Sequence, residues 1–157
     1  MAIIVTSKAK LSRHAQRSRI TRAQFDRIVA RGLPLAPYLG LTLQSVGAGK
    51  AVARLAGRPE LLRPGGTIAG PALMALADFT LYAVVLSVIG PVEGAVTTSL
   101  TMNFLRRSAP GMVIAEGRMI KCGKRLAYGE VTLYSKSDAD PVAHATATYS
   151  VPPSPGS

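Results

Sequence analysis

The chain is poor in the residues that build disulfides, metal centres and aromatic cores. It has one cysteine, Cys122, two histidines, His14 and His144, no tryptophan, and only three phenylalanines and five tyrosines in 157 residues. A lone cysteine excludes an intramolecular disulfide and a cysteine cluster, and it fits a reducing compartment, so a cytoplasmic location is expected. So few thiols and imidazoles also argue against zinc, and no metal site is expected. Acid is scarce as well: 8 Asp and Glu stand against 19 Lys and Arg, a formal charge of +11. Residues 1–25 carry Lys8, Lys10, Arg13, Arg17, Arg19 and Arg22 with no acid; the other 13 basic residues against 8 acids leave +5. Nucleic-acid binding normally adds exposed aromatics or a recognition helix with clustered bases, and neither is visible. The positive balance points instead to solubility or to a phosphate-bearing small molecule.

What the chain does have is aliphatic and small side chains. Apolar residues make up 48%, enough for a core of Ala, Val, Leu and Ile in one globular domain over residues 21–152. "MAIIV" is too short an apolar run for a secretory signal, so residues 1–20 are expected to be a basic, flexible leader, and 153–157 a disordered tail. "TRAQFDRIVARG", Thr21 to Gly32, has Phe25, Ile28 and Val29 at helical spacing, Thr21 as a cap and Gly32 as a stop. "LPLAP" then predicts an extended connection. "YLGLTLQSVGAGKAVARLA" predicts two strands around a turn between Gly47 and Gly49, with Leu39, Leu41 and Leu43 alternating on the first and Val52 and Leu55 on the second. "GRPELLRPGGTIAG" reads as a loop. After the central segment come four strands: "AVTTSLTMNFLRR", "MVIAEGRMIKCG", "RLAYGEVTLYSK" and "VAHATATYSV". In the first of them, Val96, Thr98, Leu100, Met102 and Phe104 are expected on one face, with Thr97, Ser99, Thr101 and Asn103 on the other. Gly111, "CGKR" and "SDADP" mark the turns.

The central segment, Pro71 to Ile89, is long and apolar enough to span a membrane. Asp78 near its middle and the sheet-like chain around it argue for the buried axis of a domain instead, with no membrane partner. Gly70 and Pro71 suit the start of this helix, and Gly90 and Pro91 its end. The element order is a short helix, two strands, a long helix and four strands. That order predicts an α+β fold in which an antiparallel sheet wraps around the long central helix. Asp78 has Met74, Ala75, Leu81 and Tyr82 as helical neighbours and no base on its helix. A carboxylate at an apolar rim loses hydration, which disfavours its charged form and suits general-base or nucleophilic work.

"GPALMALAD" resembles the "HGG-x(6)-D" signature of the PaaI-like hotdog-fold acyl-CoA thioesterase family. The resemblance continues through "AVTTSLTMNFLRRSAPGMVIAEGRMIKCGKRLAYGEV" and "PVAHATATYSV", roughly Leu33 to Pro152. It implies a hotdog fold and hydrolysis of acyl-CoA thioesters, with Gly70 on the first glycine of the signature and Asp78 on its catalytic acid. The chain departs from the signature: Ala69 stands at the histidine and Pro71 at the second glycine. Arg63 falls where some members carry an asparagine, and Thr97 where some carry a serine.

The resemblance gives Gly70 the role of carbonyl-polarising N–H, Asp78 that of general base or nucleophile, and Thr97 that of holding a water through its hydroxyl. Eight residues at about 1.5 Å rise separate Gly70 and Asp78 by roughly 12 Å along one helix. Both groups have to lie within about 3–4 Å of the reacting atoms. Two antiparallel copies are therefore required, and a homodimer or a dimer of dimers is expected. Substrate contacts are expected from Arg63, Arg106, Arg107, Lys124 and Arg125, with Lys121 beside them, toward coenzyme A phosphates. Met74, Leu81 and Tyr82 are expected to line the acyl slot. No cofactor is expected beyond the coenzyme A of the substrate. The alternatives are a non-catalytic acyl-CoA-binding hotdog protein, a dehydratase and a structural oligomer. The absence of histidine from the central segment argues against the dehydratase, and isolated Asp78 argues against a purely structural role.

Overall fold

A helix that is apolar all round has no face to turn to water, so the rest of the chain has to enclose it. The computed structural model describes residues 17–136 and 138–153. Its helices are α1 (Arg22–Gly32), α2 (Leu35–Leu39) and the central α3 (Gly70–Ile89). The strands are β1 (Leu41–Gly47), β2 (Lys50–Leu55), β3 (Leu62–Arg63), β4 (Thr67–Ile68), β5 (Val96–Phe104), β6 (Val113–Cys122), β7 (Leu126–Ser135) and β8 (Pro141–Ser150). Six strands form one antiparallel sheet in the order β1-β2-β6-β7-β8-β5, with β3 and β4 as a separate two-stranded ribbon. The sheet wraps around α3, as the resemblance implied. By hydropathy α3 passes as a membrane span, yet 67% of its most apolar 18-residue stretch is buried inside the domain.

Small residues recur on the inner face of the sheet, among larger ones such as Leu43, Leu55, Val131 and Leu133. Ala51, Ala53, Ala115, Ala127, Ala143, Ala145 and Ala147 are all at most 2% exposed. Small side chains there let bulky Leu76, Leu81, Val84 and Leu86 of α3, each buried, settle close to the strands. Gly117 and Gly129 bring the approach closer still. A Cβ on Gly117 would sit 3.0 Å from the Cγ2 atoms of Thr80 and Val84, and one on Gly129 3.0 Å from Leu81 Cδ2.

α1 starts with a capping box. The Gln24 N–H donates to Thr21 Oγ1 at 3.2 Å, and the Thr21 N–H donates to Gln24 Oε1 at 2.8 Å. Its apolar stripe inserts Phe25, fully buried, against the rings of Phe79 and Tyr82 at centroid distances of 5.3 and 5.9 Å. The leader expected over residues 1–20 lies outside the described residues except for 17–20. Within those, Ile20 is buried and the Arg19 N–H donates to the Ser87 carbonyl at 2.8 Å. Of the expected tail, 154–157 also lies outside them.

Three local expectations are corrected. "LPLAP" is not extended: Pro34 has helical φ and ψ, and Pro37 falls in the first turn of α2, where its missing N–H costs no helical bond. Leu39 therefore belongs to α2, and left-handed Gly40 (φ 77°) ends that helix before β1 begins at Leu41. The loop before α3 contains a 3₁₀ turn, Pro59–Leu61, and the β3–β4 ribbon. In β5 a register shift between Thr97 and Ser99 breaks the alternation. Thr97, not Thr98, is turned toward α3, and the Thr98 hydroxyl donates instead to the Thr148 carbonyl.

Candidate active site

A cavity of about 490 Å³ opens between α3 and the α1–α2 segment. Its walls are mainly apolar, with Ile28, Leu33, Ala36, Leu41, Ala75 and Phe79 among them, and its polar groups are Asp78, Tyr82, Glu93, Thr97 and Tyr149. α1 forms one wall because Phe25 anchors it. An exposed ion pair from Arg31 to Glu93 and a 3.1 Å bond from the Tyr82 hydroxyl to the Glu93 carbonyl tie the loop after α3 to the same wall. Burial, and then the Glu93 charge, raise the Tyr82 phenol above its ordinary value, so it remains a donor.

Asp78 is half-buried on α3 and lines this cavity. Its Oδ1 accepts two hydroxyl donors, Thr97 Oγ1 at 2.6 Å and the Tyr149 phenol at 2.6 Å. The Tyr149 hydroxyl also lies 2.8 Å from the Asp78 main-chain carbonyl. Two hydroxyl donors replace much of the hydration that the carboxylate gives up. Among the described residues nothing donates to Oδ2. Tyr149 is 2% exposed; burial first, and the Asp78 charge second, push its phenol far above the ordinary range, so it stays protonated.

At the far end of α3, Ala69 is an N-cap without a side-chain bond, and Pro71 has no N–H to offer. The Ala72 and Leu73 N–H groups turn back to the Ala69 carbonyl. The Gly70 N–H is left without an acceptor among the described residues. The Phe104 ring packs against Gly70: a Cβ there would meet that ring at 3.3 Å. Gly70 does not line the cavity that holds Asp78.

The expected contacts divide by helix face. At about 100° per residue, Ala75 and Tyr82 flank Asp78 on the cavity side, and Met74 and Leu81 flank it on the other. Tyr82 lines the cavity. Leu81 does not: it is 1% exposed and packs into the sheet against Gly129. Met74 is 37% exposed and also lies outside the cavity wall. Arg106 is already engaged by Asp138 at 3.0 Å and Asp140 at 3.4 Å, so it is not a free cation for phosphate. Arg63, Arg107, Lys124 and Arg125 are exposed and lie away from the cavity wall. The Thr97 hydroxyl spends its only proton on Asp78, so any water it holds must donate to it. Tyr149 escaped sequence reasoning. Its signal was there: in "VAHATATYSV" it is the one large residue with a polar tip on the face that otherwise reads Ala143, Ala145, Ala147.

A profile of the thioesterase superfamily matches residues 65–142. A solved structure of a candidate thioesterase from Silicibacter sp. TM1040 is 31% identical, with 89% of this chain and 97% of that one covered and a TM-score of 0.78. The phenylacetic acid degradation protein PaaI of Thermus thermophilus, in a single-substitution variant, is 29% identical over 76% of this chain and 99% of its own, with a TM-score of 0.68. The PaaI protein of Escherichia coli, at 19% identity and a TM-score of 0.73 over 85% of this chain and 96% of its own, shares the fold. No curated protein matches the chain.

Proposed function

The chain belongs to the thioesterase superfamily and has its hotdog fold, and from that premise we propose that it hydrolyses acyl-CoA thioesters to a free acid and coenzyme A. The observation that carries this reading is the Asp78 carboxylate, with Oδ1 held by two hydroxyls and Oδ2 without a donor among the described residues, at the wall of an apolar cavity of about 490 Å³. In the proposed reaction Asp78 Oδ2 takes a proton from a water as the water oxygen bonds to the thioester carbon. The tetrahedral intermediate collapses, the C–S bond breaks, and the proton passes to the departing thiolate. The carbonyl oxygen gains negative charge on the way, and the free N–H at a helix N-terminus is the kind of donor that stabilises it.

That donor is Gly70, about 12 Å from Asp78 along the same helix by the 1.5 Å rise. The sheet edge supports a solution. β5 is an edge strand of nine residues, and Val96, Phe104 and the following Leu105 are each more than 50% exposed. Such an edge calls for a partner strand. Thr97 touches Asp78 near one end of β5, and Phe104 packs against Gly70 at the other. Antiparallel pairing of β5 with a second copy about its midpoint sets these two ends opposite each other. Asp78 then faces Gly70 of the partner subunit, so the proposed active unit is at least a homodimer. The exposed cations Arg63, Arg107, Lys124 and Arg125 remain the proposed phosphate contacts, and the cytoplasm the proposed location.

The test is thiol release from short, medium, long and aromatic acyl-CoA esters by the wild-type protein and by Asp78→Asn. Turnover that depends on Asp78 supports the reading. Thermal stabilisation by acyl-CoA with no thiol released selects the binding protein instead.

A further inference from the structure

A tyrosine on an alanine-lined sheet face is larger than packing alone would ask for, and its phenol has to find an acceptor. On β8 the inward positions run Ala143, Ala145, Ala147, Tyr149, and the Tyr149 hydroxyl donates to Asp78, with the Thr97 hydroxyl also within its reach. It meets Asp78 twice, at the main-chain carbonyl and at Oδ1. A contact to the carbonyl fixes where the phenol sits relative to the helix backbone. A contact to Oδ1 from that fixed point then sets the rotation of the carboxylate. Thr97 converges on the same oxygen from β5. One oxygen is thus saturated by donors from two strands, and the other has none among the described residues.

We infer that Tyr149 is a positioning residue for Asp78: its phenol clamps Oδ1 and thereby makes Oδ2 the oxygen that acts. The inference rests on the thioesterase reading for its kinetic consequence, but not for its geometry. The clamp has an electrostatic side too. A donor to one carboxylate oxygen stabilises the charged form, so its loss moves the titration of the group upward. The other groups near Asp78 are Tyr82 one turn along α3, Thr97 on β5, and Glu93 on the loop beyond α3, already paired with Arg31. Among the described residues, none but Tyr149 and Thr97 donates to the carboxylate.

The experiment compares the wild type with Tyr149→Phe, which keeps the ring and removes the donor. The side-chain carboxyl carbon of Asp78 is followed by ¹³C NMR across pH, in parallel with the pH profile of kcat/KM for acyl-CoA hydrolysis. The NMR midpoint should rise by roughly one unit, the worth of one hydrogen bond to a charged acceptor. The acidic limb of the rate profile should move with it, and kcat should fall about tenfold with KM within about twofold. If only thermal stability falls while both midpoints stay within about 0.2 unit, Tyr149 is a packing residue and the inference is overturned. If the NMR midpoint moves and no thiol is released by the wild type, the clamp stands and the thioesterase reading fails. Global replacement of tyrosine by 3-fluorotyrosine supplies a second measurement that does not depend on the variant folding. A more acidic phenol is a stronger donor and should lower the same NMR midpoint by roughly a few tenths of a unit. No movement on fluorination also overturns the inference.

Discussion

Asp78→Asn separates the chemistry of the site from its architecture, because the amide can keep the contacts that hold the carboxylate. Thr97 and Tyr149 both donate to one oxygen, Oδ1. An asparagine can place its single carbonyl oxygen there and accept both hydroxyls, with its NH₂ group where Oδ2 had been. The two bonds change from charge-assisted to neutral, a loss of about 1 kcal/mol each at most. Removal of a half-buried charge offsets part of that loss. Net destabilisation is expected to be about 1 kcal/mol, or roughly 2–4 °C in Tm for a domain of this size. Activity should respond quite differently. An NH₂ group cannot take a proton from water, and loss of a general base costs about 10²–10⁴ in kcat, some 3–5.5 kcal/mol of barrier. Asp78→Leu should reverse the balance between the two effects, since it strands the Thr97 hydroxyl and half of the Tyr149 contact and costs about 1–3 kcal/mol of stability. Thiol release measured spectrophotometrically, beside thermal melts of the same samples, reads both quantities. An Asn variant with kcat within about threefold of wild type would refute the assignment of the base.

Further outcomes follow from the packing and the charges. Phe25→Ala should cost about 3–5 kcal/mol in urea unfolding because a fully buried ring against Phe79 and Tyr82 is lost. Arg31→Ala should cost less than about 1 kcal/mol, since its side chain is 68% exposed in the pair with Glu93; a larger loss would mean that the ion pair, not the ring, anchors α1. Gly117→Val places a Cβ 3.0 Å from Thr80 and Val84, and calorimetry should show a loss of about 1–3 kcal/mol from the enforced retreat of α3. On the outer sheet face, the hydrogen bond from His144 first, and then Arg118, hold the Glu130 carboxyl below its ordinary value of 4.5. A depressed folded value means the stabilisation is complete above about pH 4.5 and is lost as pH falls through the lower folded value. Urea melts of wild type and Glu130→Gln should therefore converge in acid and separate toward neutrality, and a constant gap would contradict the assignment.

The fold was legible where one pattern dominated. The 20-residue apolar run and the four alternating strands after it leave few ways to bury both. Asp78 was legible for a related reason, as a charge without a local partner. What local reasoning missed depended on tertiary facts. One extra residue at the β5 bulge inverts a face, and Thr97 reaches Asp78 only because of it. "LPLAP" forms a helical turn because prolines are tolerated in a first turn and Gly40 can close it. Leu81 and Tyr82 are neighbours in sequence, yet one packs on Gly129 and the other lines the cavity. Arg106 looked available until the turn carrying Asp138 and Asp140 folded back onto it.

The alanine and glycine lining beneath α3 also bears on how the protein can change. Where that lining is already methyl groups and hydrogens, at Ala51, Ala53, Ala115, Gly117 and Gly129, it has nothing further to surrender, so the helix cannot sink there to enlarge the space above it. A variant, natural or engineered, that admits a bulkier guest gains the room most directly from the α1–α2 side, at positions such as Ile28, Leu33 and Ala36. Selectivity and foldedness would then draw on different sets of residues, and the first could drift while the second held.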